Sequence, residues 1–138
     1  MQQLANTPWV AYAAVMIGSA VGGLARYVCG LLIAERVDSD FPWATLCVNV
    51  TGSFLIGVFA ALTDPGGRWA NSPLLRELLM VGLMGGYTTF SAFSLQTFAL
   101  LREGRFGIAM VNVLASVLLC LVVVWLGYAV ASSGKSAG

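Results

Sequence analysis

Residues 82–98 read GLMGGYTTFSAFSLQTF, and they lie in an apolar run long enough to cross a bilayer, Leu74 to Leu101. The middle of that run is a poor helix. Gly82, Gly85 and Gly86 are followed by Tyr87, Thr88 and Thr89. A glycine costs about 1 kcal/mol against alanine inside a helix, and a β-branched pair adds to that cost. Phe90 and Phe93 follow at i, i+3, with Ser91, Ser94, Gln96 and Thr97 around them. In lipid, backbone groups freed from a helix must be satisfied by protein, water or an ion. The spacing therefore predicts a third span broken near its middle, with a working part at the break.

The rest of the chain reads as further spans. Of 138 residues, 59% are hydrophobic and 9% charged, against roughly a quarter charged in soluble domains. This predicts an all-α membrane protein in one transmembrane domain over 1–138, with spans near 9–34, 43–62, 74–101 and 106–130. Each run reaches the ~20 residues that a crossing requires. Residues 1–8 carry no Lys or Arg, and the run after them is too long for a signal peptide. The tail, Ala131 to Gly138, reads as a frayed end. Asp40 with Pro42, and Asn71 or Ser72 with Pro73, read as helix starts.

Polar residues within the runs fall on shared faces. In the first, Ala14, Gly18, Gly22, Arg26 and Gly30 follow one another at i+4, a stripe that lets another helix approach closely. Arg26 has two readings. It either snorkels to the interface, or it is a buried cation lining a vestibule. The second run carries Thr45, Asn49 and Ser53 on one face. Asn49 is either helix–helix glue or a carboxamide donor facing an aqueous pocket. The fourth carries Asn112 and Ser116, with Cys120 one turn on.

Lys and Arg are evenly divided between the two sides of a four-span chain. Arg68, Arg76 and Lys135 fall on one side; Arg36, Arg102 and Arg105 fall on the other. Arg26 added to the second group is offset by the terminal amine. Orientation normally follows an excess of Lys and Arg in cytoplasmic loops. A chain without that excess is expected to insert both ways and pair as an antiparallel, dual-topology homodimer. A two-fold axis in the membrane plane would bring two copies of the Gly82–Thr89 region together at the midplane.

The composition excludes most chemistry. There is no histidine, and the spans hold no Asp or Glu apart from Glu77, which sits with Arg76 in the first turn of the third, at the interface. The segment has no proton-carrying carboxylate, no imidazole base and no partner for Ser91 or Ser94 as nucleophiles. No P-loop or Gly-x-Ser-x-Gly occurs. Cys29, Cys47 and Cys120 lack metal or redox spacing. An enzyme is not expected. Neutral hydroxyl and amide donors remain, with Arg26 as the one embedded positive charge. Such donors can replace the water around a small anion. Phe90 and Phe93 are either ordinary packing or rings whose positive edges line an anion path.

Three motifs resemble the small bacterial fluoride channels of the Fluc/CrcB type. They are Gly22-Gly23-Leu24-Ala25-Arg26-Tyr27, Asn49-Val50-Thr51-Gly52-Ser53 and Gly86-Tyr87-Thr88-Thr89-Phe90-Ser91-Ala92-Phe93. The resemblance covers nearly the whole chain, and the third motif is long and specific. It implies a multi-pass protein of the bacterial inner membrane that passively exports fluoride, as an antiparallel homodimer with two pores. By motif, Phe90 and Phe93 would contact fluoride and Asn49 would be the polar residue of the pore. Ser91, Ser94, Thr97 and Ser116 would be candidates for a polar track, and Arg26 would stand at the pore entrance. A structural Na⁺ at the dimer interface would be held by the carbonyls of Gly85 and Thr88. Ala92 stands where the family usually has threonine. The competing reading, a small dual-topology drug/proton antiporter, needs an embedded carboxylate, and Glu35 lies at a span's end instead.

Overall fold

The computed structural model describes residues 8–133, all helix and connecting turn. Lys135, counted above with one side's charges, lies outside the described residues, as do residues 1–7 and the tail from 134 onward. Helix α1 runs Pro8–Ala34 and α2 runs Trp43–Thr63. A one-turn α3, Pro73–Arg76, leads into a π-helical segment, Glu77–Met84, and then into the short α4, Gly85–Tyr87. Helix α5 spans Phe90–Arg102 and α6 spans Phe106–Ser132. Four helical stretches are long and apolar enough to cross a membrane: Pro8–Ala34, Trp43–Thr63, Pro73–Arg102 and Phe106–Ser132.

Glycine sets the two principal contacts. Helix α2 packs most extensively on α6, and α1 on the π segment. At the first crossing a Cβ on Gly57 would strike the Val124 carbonyl oxygen, and one on Gly127 would strike that of Phe54. At the second, Gly18 and Gly22 face the backbone of Leu78 to Tyr87, and Gly82 and Gly86 face that of Ala14 to Ser19. With lipid tails as apolar as leucine, helix association depends on such close packing rather than on expulsion of water. The outward surface is correspondingly apolar, with Leu24, Met110, Leu118 and Leu121 exposed.

The glycines of the third stretch do not themselves interrupt it. Gly82 lies within the π segment, and Gly85 and Gly86 lie within α4. Gly82 and Gly86 make close contact with α1. The extended residues are Thr88, at φ −80° and ψ 158°, and Thr89, at φ −149° and ψ 115°. Thr89 then caps α5, its Oγ1 accepting from the Ala92 N–H at 3.2 Å, the N-cap arrangement threonine favours.

Two of the expected helix starts differ in detail. Ser72 occupies the N-cap of α3 with Pro73 behind it, but its side chain makes no capping bond. Pro42 is itself the N-cap of α2. Asp40 is drawn away by an ion pair with Arg105, which ties the 35–42 link to the start of α6. The guanidinium holds the Asp40 carboxyl below its ordinary value of 3.8. A lowered carboxyl stabilises the fold above that ordinary value, and the contribution fades as pH falls through the depressed one. Gly104, at φ 74°, closes the 102–105 turn, with Arg105 N–H donating to the Leu100 carbonyl at 2.9 Å.

Gly127→Ala is expected to push α6 off α2 and to cost about 1–3 kcal/mol, as overpacking does. Gly107→Ala on the same helix meets open space and should be neutral. Thermal unfolding of the two variants in detergent compares them directly.

Candidate functional site

The extended pair Thr88–Thr89 is held by one side chain. Asn49 Nδ2–H donates to the Thr89 carbonyl at 3.0 Å, and the Thr89 N–H donates to Asn49 Oδ1 at 2.8 Å. The carboxamide thus pairs with the backbone of residue 89 as a neighbouring strand would. One turn on, Gly52 makes room: a Cβ there would strike Thr88 Cγ2. Asn49 and Gly52 are i, i+3 on α2, so one helix face both bonds and accommodates the extended pair. On the other side of the break, Thr88 N–H and Oγ1–H both donate to the Met84 carbonyl, each at 2.9 Å.

This pairing has a consequence for the carbonyls before it. In a continuous helix the Thr89 N–H would go to Gly85. It goes to Asn49 instead, so the Gly85 carbonyl loses its helical donor. Gly85 is exposed, and the nearest atom to a Cβ placed on it is the Met80 carbonyl oxygen, 3.9 Å away.

Beside the break lies a cleft of about 400 Å³ between α2, α5 and α6. Asn49 and Ser53 line it from α2, Thr88 and Thr89 from the break, Phe90 and Phe93 from α5, and Ser116 and Cys120 from α6. Ile56, Val117 and Leu121 complete the wall, and no charged side chain lines it. The two rings sit 5.3 Å apart, tilted by 48°. Phe93 is buried, whereas Phe90 is 78% exposed. The donors available to the cleft are the hydroxyls of Ser53 and Ser116 and the second Nδ2 hydrogen of Asn49.

The other residues singled out by sequence divide in two. Thr97 Oγ1 donates to the Phe93 carbonyl at 2.8 Å and accepts from Asn112 Nδ2 at 2.9 Å. Asn112 is almost wholly buried, so this pair clamps α5 to α6 one turn beyond Phe93. Ser94 Oγ donates to the Phe90 carbonyl at 2.9 Å, and Ser91 Oγ lies 3.2 Å from Thr89 Oγ1. Ser91, Ser94 and Thr97 are not part of the cleft wall. Arg26 is half-buried on α1, one turn beyond Gly22 on the same face. It does not line the cleft either, and within one chain it is not brought together with the phenylalanines.

Sequence reasoning assigned no part to Thr89 as a cap. A threonine ahead of Phe90-Ser91-Ala92 is a legible N-cap signal, provided that a helix start is allowed in mid-membrane. Asn49 bonds the third span to the second through Thr89 and is also among the residues that line the cleft.

Four apolar crossings, three of which line a neutral, polar-flecked cleft, define a multi-pass membrane protein. The profile of the family described as CrcB-like protein, Camphor Resistance (CrcB), matches residues 13–128. The chain belongs to that family. It is 51% identical over 121 residues to the "Fluoride-specific ion channel FluC 1" of Rhodopseudomonas palustris, covering 88% of this chain and 86% of that one. It is 54% identical over 118 residues to the "Fluoride-specific ion channel FluC" of Methylobacterium radiotolerans, covering 86% and 82%. To the protein of that name from Opitutus terrae it is 50% identical over 117 residues, covering 85% and 89%.

Asn49→Ala removes both bonds to Thr89. Leaving a buried backbone donor and acceptor unmet costs about 1–3 kcal/mol. The variant should unfold at lower temperature in detergent, and the Thr89 amide should exchange its hydrogen faster than in the parent protein.

Proposed function

We propose that this chain is a fluoride-selective channel giving passive export of fluoride across the bacterial inner membrane. The observation that carries the reading is the cleft itself. A buried ring and an exposed ring, Phe93 and Phe90, stand over hydroxyl and amide donors with no fixed charge among them. A small anion there exchanges water for donors and ring edges. Without a full positive charge it is not trapped, which conduction requires. The names of the relatives point to the same ion.

The working unit in this reading is an antiparallel, dual-topology homodimer with two pores. Phe90 is exposed in one chain, and Arg26 does not line the cleft of its own chain. A second copy would cover the first and supply the second as a pore entrance. The even division of Arg and Lys between the two sides supports insertion both ways. The interruption at Thr88–Thr89 is then a break of the third span, at the midplane. Phe90, Phe93 and Asn49 contact the ion, and Ser116 continues the polar path. Ser91, Ser94 and Thr97 act from behind, by holding the start of α5.

A structural Na⁺ fits the same break. Sodium is a hard cation that takes oxygen ligands, and backbone carbonyls suit it. The Gly85 carbonyl has lost its helical donor to Asn49, and Thr88 has left helical geometry. These two carbonyls would hold the ion, which supplies positive charge to join two breaks across an interface.

Purified protein in liposomes should release fluoride and retain chloride. Phe90→Ile and Phe93→Ile should each lower the fluoride rate by at least ~10-fold, because an alkyl group lacks the ring's positive edge. Retained flux in both variants would remove the rings from the path. Replacing Na⁺ with a large organic cation on both sides should slow release in the unaltered protein. A fluoride electrode reads all three.

A further inference from the structure

A second recess, of about 340 Å³, lies at the membrane edge between the 35–42 link, α5 and the start of α6. It is lined by Asp40, Gln96, Glu103 and Arg105, among others. Phe93, Gln96, Leu100 and Glu103 follow one another along one face of α5 and the turn beyond it. Phe93 belongs to the cleft and Gln96 to the recess. Less than one helical turn, about 4.5 Å of rise, separates the two residues. The cleft and the recess are therefore consecutive along the same helix face.

The junction is polar. Gln96 Oε1 is buried and has no hydrogen-bond partner among the described residues. A buried acceptor left unmet is unfavourable, and water entering from the recess relieves it. An unmet acceptor thus stands between the recess and Phe93, where a water would find a partner.

Its charges are arranged around one cation. Arg105 forms an ion pair with Asp40 through Nη2, and its Nη1 lies 3.8 Å from Glu103 Oε2. The Arg105 side chain is 29% exposed, against 68% for Asp40 and 61% for Glu103. The guanidinium is the inner charge and the carboxylates are the outer ones. One positive and two negative groups leave the recess at a formal charge of −1.

Resting on the fluoride-channel reading, we propose that this recess is a mouth of the anion path. Arg105 is the one charge there that favours an anion, and Asp40 and Glu103 outweigh it, so that their excess restrains entry. An anion approaching from water meets a field that falls off over the screening length, so the effect belongs to entry and depends on salt. The outer carboxylates keep the guanidinium from holding an anion permanently, because its fork is already engaged. Glu103 is the weaker partner at 3.8 Å. Its charge can be removed while the Asp40–Arg105 tie remains.

The test is fluoride release from liposomes holding the full chain and its Arg105→Gln, Asp40→Asn and Glu103→Gln variants. Release is measured at about 0.01 M and about 1 M impermeant salt, where the screening length is about 30 Å and about 3 Å. At low salt, Glu103→Gln and Asp40→Asn should raise the rate roughly two- to five-fold, and Arg105→Gln should lower it by a similar factor. At high salt the four rates should converge. A variant that merely damaged the fold would lose rate equally at both salts. Glu103→Gln, which leaves the main ion pair intact, guards against that outcome. Normal release from the parent with the low-salt order absent or reversed overturns the mouth alone. No fluoride release from the parent overturns the channel reading, and the mouth falls with it.

Discussion

Much of this molecule depends on a single amide pairing with a single backbone unit. Asn49 bonds to both polar groups of Thr89, and two extended residues thereby become tolerable inside a run built to cross lipid. Without that partner, an unpaired N–H and C=O would face a medium in which neither can find water. With it, the chain can stop one helix at Tyr87 and start another at Phe90. Phe90 and Phe93 then stand on the first turn of a helix whose start is fixed from the neighbouring span. The position of both rings is inherited from α2.

The glycines make this possible from the other side. Gly52 clears space for Thr88, while Gly18 and Gly22 let α1 lie against the backbone leading into the break. The segment before it is π-helical, Glu77–Met84, a geometry that is rare and commonly found at functional sites. Ser19 Oγ adds a long bond, 3.4 Å, to the Gly82 carbonyl in the same region. The break is thus flanked by a helix pressed close on one face and a side-chain amide on the other.

Four spans and their approximate limits were legible because long apolar runs and short polar links leave little choice of register. The stripe of Gly18 and Gly22 was legible for the same reason: i+4 spacing of glycine has few uses other than close approach. The glycines at 82, 85 and 86 were misleading as a guide to where the helix yields. Propensity sees them as weak points, but Gly82 and Gly86 are packed on α1, all three stay helical, and the extended residues are the threonines beyond. Asn49 could be placed on a face, but its partner, forty positions away in the chain, could not be read from any local pattern. The Asp40–Arg105 tie lay hidden similarly, since a charge count treats the two residues as loop charges and carries no information about which loops meet.

Phe90 carries one further implication. A ring 78% exposed would be a liability in water, but among acyl chains it is indifferent, because lipid tails are as apolar as any side chain that might replace them. Whatever comes to cover that ring must first displace a lipid. Occupancy of the surface is then an exchange in two dimensions, governed by the ratio of lipid to protein. Dilution into excess bilayer would act on this protein as dilution into buffer acts on a soluble one.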